Sequence, residues 1–232
     1  MRILLAETNW NSMALATGLT KAGMLVTRVN DGHELLDFAK FDAQSAIVFD
    51  FNMVGLKGTT LLSTLRNQHP HMPIYVLTED AQWETRKKAF ELGADDIFVG
   101  DRNIEVSAAQ IMAAVRRAAG FSSSDITLGA LTLDTLRNTA SIGGAQLQLT
   151  RKEYEVLELL SLNSGTLVTR EAFMNHLYAW DDEPDSRIIN VYLSRVRQQI
   201  AACGGEADML ETVWGLGYRI STIELSHARS VA

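Results

Sequence analysis

Residues 46–50 read Ala46-Ile47-Val48-Phe49-Asp50, four apolar residues followed by one carboxylate. Four similar apolar runs occur at residues 3–6, 25–29, 74–77 and 97–99. Segments with apolar residues spaced three and four apart separate these runs. Short apolar strands that alternate with amphipathic helices predict a parallel sheet covered by helices on both faces. We therefore predict an α/β domain over residues 1–119, built on a five-stranded, doubly wound parallel sheet.

A different pattern of elements begins after residue 119. The small polar stretch at residues 120–125 predicts a linker. Residues 126–149 are typical of short antiparallel strands, with a turn at Gly143-Gly144. We therefore predict a second domain over residues 126–222, followed by a C-terminal tail at residues 223–232.

Three helices and a hairpin are predicted within the second domain. Thr150-Arg151-Lys152-Glu153 is a capping box that opens the first helix. The other two helices are predicted at residues 170–178 and at about residues 186–202. The segment 212–222, which contains two glycines, predicts a β-hairpin. Strands, three helices and a terminal hairpin together predict a winged helix-turn-helix, an α+β domain.

Composition limits the partners that the chain can have. Its 232 residues carry a net charge of −7, with 12 basic and 14 acidic residues up to residue 124 and 9 and 14 after it. Neither half is basic, so any contact with nucleic acid must come from a local patch. The single cysteine, Cys203, excludes an intrachain disulfide. Neither a signal peptide nor a membrane-spanning stretch is found, so we expect a cytoplasmic location and no membrane.

Two polar side chains come directly after predicted strands. Asp50 follows the apolar run at residues 46–49, and Thr78 follows the run at residues 74–77. In an open parallel sheet, ligands bind at the carboxyl ends of the strands. A carboxylate at that edge can accept a phosphoryl group if a divalent cation and a lysine offset the gathering negative charge.

The residues around these two positions resemble a known family. The segment 50–58 is similar to the phosphoacceptor loop of receiver domains in the response-regulator family, and Thr78 to their switch hydroxyl. The segment 93–96 resembles the turn before their fifth strand. The resemblance covers residues 1–119 and implies a CheY-like fold with Asp50 as the phosphoacceptor.

Several residues of this pocket depart from the family pattern. Thr8 stands where the family has a second metal-binding carboxylate after Glu7, and Gly100 stands where it has a lysine. Losing one charge-assisted hydrogen bond in such a site costs about 1.5–3 kcal/mol. We therefore predict a degenerate pocket that works without phosphorylation, with doubtful Mg²⁺ binding and no other cofactor or metal. Its residues are Glu7, Thr8, Asp50, Thr78 and Gly100. The alternative is a conventional regulator that is activated by phosphorylation of Asp50.

The third helix of the second domain is locally basic. Residues 186–199 contain three arginines and no acidic residue. Apolar residues along the helix predict a packed face, made by Ile188, Val191 (or Ile189), Leu193, Val196 and Ile200. Arginine can bind phosphate or the guanine edge, and asparagine can pair with adenine. This helix is therefore the candidate for reading double-stranded DNA.

The hairpin and the first helix strengthen this interpretation. Residues 211–219 resemble the wing of the OmpR/PhoB family of response regulators, and residues 149–154 resemble the start of the first helix of its DNA-binding domain. The resemblance covers residues 126–222 and implies a transcription regulator that binds promoter DNA. The implied contacts are Arg187, Asn190, Tyr192, Ser194, Arg195, Arg197, Thr212 and Trp214. For Trp214, a place in the domain core is the alternative.

The same resemblance implies further partners. Related receivers form homodimers through the fourth helix, fifth strand and fifth helix. The corresponding residues here are Arg86, Lys87, Asp95, Asp96, Val106, Gln110, Met112, Arg116 and Arg117. For any one of them, a solvated surface or core position is the alternative. The acidic loop at residues 180–185 is a candidate contact for RNA polymerase.

Enzyme activity is not expected, because the chain lacks a phosphate-binding GxxxxGK[ST] loop, an HExxH motif and a hydrolase triad. Three functions stay open. They are a regulator that acts without phosphorylation, a conventional phosphorylation-activated one, and a protein-binding adaptor with weak DNA binding.

Overall fold

The computed structural model describes residues 1–7, 10–41, 44–80, 82–100, 103–178 and 184–221. Residue contacts divide the chain into two compact units, Met1–Ser122 and Ser123–Ala232. Each unit has its own sheet system and its own buried apolar residues.

The first unit is a five-stranded sheet in which every pair of neighbouring strands is parallel, in the order β2-β1-β3-β4-β5. The elements are β1 (Arg2–Ala6), α1 (Trp10–Lys21), β2 (Leu25–Val29), α2 (Gly32–Ala39), β3 (Ala46–Asp50), α3 (Gly58–Gln68), β4 (Ile74–Thr78), α4 (Trp83–Glu91), β5 (Asp96–Val99) and α5 (Ile104–Ala118). The predicted CheY-like α/β fold is confirmed.

Burial of the central strands explains why the apolar runs fold as they do. All residues of β1, β3 and β4 are buried, as expected for parallel strands that are covered on both faces. Ile3, Phe49 and Ile74 are among the largest fully buried side chains. Because these runs are fixed in the core, the residues that follow each strand are held at one edge of the sheet.

Gly58 keeps the loop after β3 close to the start of α3. A Cβ atom at this position would lie 2.1 Å from the carbonyl oxygen of Phe51, a backbone atom that no side-chain rotation can move. Only glycine permits such a close approach. The path of the loop that follows Asp50 therefore depends on this residue.

The second unit combines a four-stranded antiparallel sheet (β6-β7-β8-β9), three helices and a three-stranded sheet (β10-β12-β11). The elements are β6 (Asp125–Leu128), β7 (Leu131–Asp134), β8 (Thr139–Ile142), β9 (Ala145–Gln146), α6 (Arg151–Leu162), β10 (Val168–Thr169), α7 (Arg170–Tyr178), α8 (Ile188–Ala202), a 3-10 turn (Ala207–Met209), β11 (Leu210–Val213) and β12 (Gly217–Ile220). The winged-helix-like α+β architecture is confirmed, with β11 and β12 as the hairpin.

Helix α6 lies at the centre of this unit. The predicted capping box is present: the Thr150 side chain accepts from the Glu153 backbone, and the Glu153 carboxylate accepts from the Thr150 N–H at 2.8 Å. Residues 153–161 are all buried. Helix α8 packs against α6 and buries one face, which consists of Ile189, Leu193, Val196 and Ile200.

Three details differ from the sequence prediction. Strand β6 begins at Asp125, a residue that was assigned to the linker. Helix α8 begins at Ile188, after a turn at Ser186-Arg187. Of the two apolar alternatives in this helix, Ile189 is buried and Val191 is 42% exposed. Ile189 precedes Leu193 by four positions and therefore shares its face.

Some predictions fall outside the described residues. They concern Thr8, most of the acidic loop at residues 180–185, the last hairpin residue Thr222, and the tail at residues 223–232. Among the helices that the structure describes, none has the length and apolar character needed to cross a membrane.

Candidate functional site

Four of the predicted pocket residues lie at or beyond the carboxyl ends of strands. Asp50 ends β3 and Thr78 ends β4, and these strands pair in register, with Asp50 opposite Leu77. Glu7 follows β1, and Gly100 follows β5. The parallel sheet therefore brings all four to the same edge, as the sequence predicted.

The carboxylate of Asp50 is almost completely buried. Its residue is 8% exposed, and its Oδ1 accepts a hydrogen bond from the Asn52 N–H at 2.8 Å. Burial raises the pKa of Asp50; the Asn52 hydrogen bond opposes this shift, and the negative charge of Glu79 adds to it. Further negative charge on this side chain therefore needs nearby cations to offset it.

The other described acidic residue of the pocket, Glu7, already has a cationic partner. Its Oε2 lies 3.2 Å from Nη1 of Arg28 on β2, and the Glu7 carboxylate is largely buried. No described group of three or more His, Cys, Asp or Glu side chains has the arrangement of a metal site. Glu7 is thus paired to a guanidinium and is followed in the sequence by a neutral threonine, whereas Mg²⁺ is usually held by several oxygen ligands, carboxylates among them.

Two hydrogen bonds hold Gly100 and Thr78 at this edge of the sheet, one between their backbones and one within the turn after β4. The Gly100 N–H donates to the Thr78 carbonyl at 3.1 Å, and the Thr78 hydroxyl accepts from the Asp80 N–H at 3.1 Å. Gly100 is exposed and has φ +59°. This position contributes neither a charge nor a side chain to the edge of the sheet.

Helix α8 presents a polar face to solvent. Arg187, at the turn before the helix, and Asn190, Ser194 and Arg195 within it are exposed, whereas Tyr192 and Arg197 are half-buried. The Tyr192 hydroxyl lies 2.7 Å from that of Tyr178 on α7. The exposed face is the one opposite the residues that pack against α6.

Two of the predicted arginines make ion pairs and still extend into solvent. Arg187 Nε lies 2.8 Å from Asp185, and its side chain is 82% exposed. Arg195 Nη1 lies 3.5 Å from the buried carboxylate of Glu153, and its side chain is 59% exposed. Asp185, from the acidic loop, also accepts from the Arg187 N–H at 2.9 Å, which lowers the pKa of Asp185. This aspartate therefore supports the start of α8.

Arg197 has a role within the domain that the sequence did not predict. Its guanidinium donates to the Leu210 carbonyl at 2.9 Å and to the Thr212 hydroxyl at 2.8 Å. These bonds tie α8 to β11. Thr212 and Arg197 thus use part of their hydrogen-bonding capacity to position the hairpin against the helix.

The tip of the hairpin is apolar and fully open to solvent. Trp214 is 90% exposed and Leu216 is 62% exposed, and Gly215 between them turns with φ +76°. The alternative that placed Trp214 in the domain core is therefore wrong. The interpretation as a wing residue remains.

A hollow of about 530 Å³ lies between α8 and the hairpin. Its lining includes the predicted residues Asn190, Arg197 and Trp214, and also Arg170 and Tyr218. Sequence reasoning missed these last two. Arg170 is the first residue of α7, and Tyr218 belongs to β12, so no helical or strand pattern in either segment indicates that they face α8.

The predicted dimer residues of the first unit are placed on α4, β5 and α5. Arg86, Lys87, Val106 and Arg117 are exposed, and Asp96, Gln110 and Arg116 are half-buried. Trp83 and Phe90 on α4, which the sequence prediction did not include, are 66% and 45% exposed. Together with Arg86 and Lys87 they occupy positions i, i+3, i+4 and i+7, which form one stripe along the helix.

Two members of that set have roles inside the unit. Met112 is 8% exposed and lines a hollow between α1 and α5, so its assignment to the outer face is corrected: this side of α5 faces α1. Asp95 Oδ2 lies 2.6 Å from Arg66 Nη2 and accepts from the Ile74 N–H at 2.7 Å. This carboxylate joins α3 to the ends of β4 and β5.

Comparison with protein families agrees with both folds. Residues 3–114 match the response regulator receiver domain, and residues 144–220 match the family "Transcriptional regulatory protein, C terminal". The class of protein is thus a response regulator whose output domain acts in transcription.

Curated relatives span nearly the whole chain. The cell cycle transcriptional regulator CtrA of Caulobacter vibrioides is 36% identical over 219 residues, which cover 94% of this chain and 95% of CtrA. The cell cycle response regulator CtrA of Brucella abortus is also 36% identical, with 94% of each chain covered. The crystal structure of DrrB, an OmpR/PhoB homologue from Thermotoga maritima, is 24% identical, covers 95% of this chain and 98% of DrrB, and has a TM-score of 0.45.

The chain belongs to the OmpR/PhoB family of response regulators and is similar over 94% of its length to the CtrA proteins. It is a transcription regulator of a class that binds DNA, and this family is not known for enzymatic activity.

The raised pKa of Asp50 predicts how its replacement changes stability. A raised pKa in the folded state means that the ionised carboxylate opposes folding at neutral pH. We expect Asp50→Asn to raise the thermal unfolding midpoint at about pH 7, and the gain to shrink as the pH falls to about 4, where the unfolded carboxyl also takes up a proton. Scanning calorimetry at both pH values measures this.

The control for this experiment is Asp37→Asn, because Asp37 is an exposed carboxylate of the same unit. It should leave the midpoint nearly unchanged. A lower midpoint for Asp50→Asn than for the parent at neutral pH would show that the ionised Asp50 carboxylate stabilises the fold.

Proposed function

We propose that this regulator binds promoter DNA through α8 and the β11–β12 hairpin, acts as a homodimer formed by its receiver, and does so without phosphorylation of Asp50. The observation that carries DNA binding is the exposed face of α8. It bears Arg187, Asn190, Ser194 and Arg195 beside a protruding hairpin. A helix of this kind in the major groove, with the hairpin on adjacent backbone or in the minor groove, is the usual docking of such domains.

The acidic residues of this half do not all lie on its surface. Residues 125–232 contain more acidic than basic side chains, but three of the acids, Glu153, Glu155 and Glu158, lie on α6 and are each only 4% exposed. Glu155 is paired with Arg151 and Lys152 at 2.9 and 3.0 Å. Helix α8 itself carries no acidic residue. The exposed face of α8 is therefore more positive than the domain average.

Arg195→Ala tests the role of this face. Removing one phosphate or base contact should weaken binding to a cognate duplex by about 1–3 kcal/mol, and a lost phosphate contact should also reduce the salt dependence. Fluorescence anisotropy with a duplex selected from a randomised pool, repeated over a series of salt concentrations, measures both effects. Calorimetry of the variant checks that the domain still folds after Glu153 loses this ion pair.

Arg137→Ala is the matched control. Arg137 is likewise an exposed arginine of this domain that pairs with a carboxylate, that of Asp134, but it lies in the turn between β7 and β8 and not on α8 or the hairpin. Its replacement should leave affinity unchanged. If the parent chain bound duplexes only weakly and without salt dependence, the protein-binding adaptor would become the better interpretation.

Independence from phosphorylation is supported by the charges at the edge of the receiver sheet. Asp50 is buried and has a raised pKa, Glu7 is engaged by Arg28, and Gly100 brings no cation. A phosphoaspartate would add negative charge at this edge, where stabilisation normally comes from Mg²⁺ and a lysine. Because this edge lacks the lysine and one of the metal-binding carboxylates, a phosphoaspartate would not be stabilised there, and we therefore propose a receiver that works without phosphorylation.

Treatment with a small-molecule phosphodonor in the presence of Mg²⁺ tests this part of the proposal. We expect no shifted band on a phosphate-affinity gel and no change in affinity for the selected duplex. A response regulator with an intact acidic pair and lysine, treated in parallel, should be labelled. Stoichiometric, Mg²⁺-dependent labelling that disappears in Asp50→Asn would establish conventional phosphorylation instead.

A receiver dimer is supported by the exposed apolar side chains on α4 and α5. Trp83 and Phe90 flank Arg86 and Lys87 on α4, and Val106 on α5 is 55% exposed. Exposed aromatic residues and arginines are enriched at protein interfaces. A surface of this composition suits a dimer that forms without a phosphate signal.

Val106→Glu should break such a dimer, because it places an unpaired carboxylate in the interface. We expect sedimentation equilibrium to give twice the monomer mass for the parent chain and the monomer mass for the variant at micromolar concentration. Val54→Glu is the control, since Val54 is 74% exposed in the loop after β3. A dimer that survives Val106→Glu would place the interface on another surface.

A further inference from the structure

Three side chains from three different elements meet in the hollow between α8 and the hairpin. Arg170 Nη2, from α7, donates to the hydroxyl of Tyr218 on β12 at 3.3 Å. The Tyr218 hydroxyl in turn donates to Oδ1 of Asn190 on α8. All three residues line the same hollow. We call this chain of hydrogen bonds the Arg170–Tyr218–Asn190 relay.

The direction of the relay follows from the chemistry of its first member. A guanidinium has donors only, so Arg170 must use a lone pair of the Tyr218 oxygen. The single hydroxyl hydrogen of Tyr218 is then free to point to Asn190, and the structure places the amide oxygen, Oδ1, as its acceptor. The relay therefore distinguishes the two ends of the Asn190 amide, which are nearly equal in size.

Tyr218 is well suited to hold this orientation. It is 3% exposed, and its ring packs edge-on against Phe173 of α7 with 5.7 Å between centroids. Its backbone pairs with Val168 of β10 and Thr212 of β11. The hydroxyl thus comes from a rigid core residue, whereas Asn190 itself is exposed on the polar face of α8.

We propose that Tyr218 and Arg170 are positioning residues that turn the Nδ2–H₂ group of Asn190 towards DNA, so that Asn190 selects a hydrogen-bond acceptor on a purine edge, the N7 atom. The proposal rests on the proposed DNA-binding function. No described residue accepts from Asn190 Nδ2, which leaves both of its hydrogens for a ligand. An amide free to turn over could equally present its oxygen to the amino group of cytosine, and the relay disfavours that orientation because it would cost the bond from the Tyr218 hydroxyl to Oδ1.

The affinity for duplexes that contain base analogues tests this proposal. A duplex is first selected from a randomised pool with the full-length parent chain, and each purine is then replaced singly by its 7-deaza analogue, in which a C–H group takes the place of N7. We expect one position at which the parent chain loses roughly tenfold in affinity, within the usual range for one specific base contact. Asn190→Ala should show no such loss at that position.

Tyr218→Phe is the decisive variant, because it removes only the hydroxyl and keeps the packed ring. The 7-deaza penalty is the loss of affinity that the parent chain shows when N7 is replaced at that one position. We expect this penalty to fall from about tenfold to about twofold, a change within the range for one base contact. Affinity for an unrelated duplex and the salt dependence should not change, since the phosphate contacts stay intact. Asn190→Asp, which keeps an acceptor for Tyr218 but has no Nδ2–H₂ group, should also lose the penalty.

Tyr154→Phe controls for the general effect of losing a buried tyrosine hydroxyl. Tyr154 is equally buried, and its hydroxyl contacts Asp134 and Glu158 rather than α8. It should retain the full 7-deaza penalty. A full penalty in Tyr218→Phe, or in Asn190→Ala, would overturn the relay while leaving DNA binding established. Failure to select any duplex would instead overturn the proposed function, and the relay with it.

Discussion

The contact between α8 and α6 is the constraint on which the DNA-binding half depends. Once Ile189, Leu193, Val196 and Ile200 are buried against α6, the helical repeat leaves one face of α8 for solvent. That face carries the polar side chains, and no further interaction is needed to direct them outwards. Helix α6 also contacts α7, β6 and β12, so it is buried along most of its length, and its three glutamates lie in the interior with their own partners.

Hydrogen bonds to neighbouring segments act together with the helix packing to fix the position of α8. Arg197 and Thr212 join α8 to β11, Asp185 supports the helix start, and Tyr218 holds Asn190. Each bond links α8 or the turn before it to a different neighbouring segment. The helix can therefore neither rotate about its axis nor slide along it. In the receiver, the same task is done by the sheet alone, because parallel strands place the residues after β1, β3, β4 and β5 at one edge.

Sequence periodicity predicted most of the fold but could not separate neighbouring residues with similar side chains. The strands of the receiver, the capping box and the hairpin all follow from local patterns. Val191 and Ile189 are both apolar, and only the position of α6 decides which is buried. Met112 was assigned to an outer face because the sequence does not show that α1 covers that side of α5. Arg170 and Tyr218 are distant from Asn190 in the chain, so their meeting depends entirely on tertiary structure.

The backbone at Gly100 limits which side chains this position can carry. Its φ of +59° lies in the left-handed region, which residues with a Cβ adopt only at a cost of about 1–2 kcal/mol. A lysine placed at this position would therefore have a strained main chain, although open space surrounds the position of its side chain. A cation at this position would therefore require a change in the main chain at residue 100 as well as a new side chain.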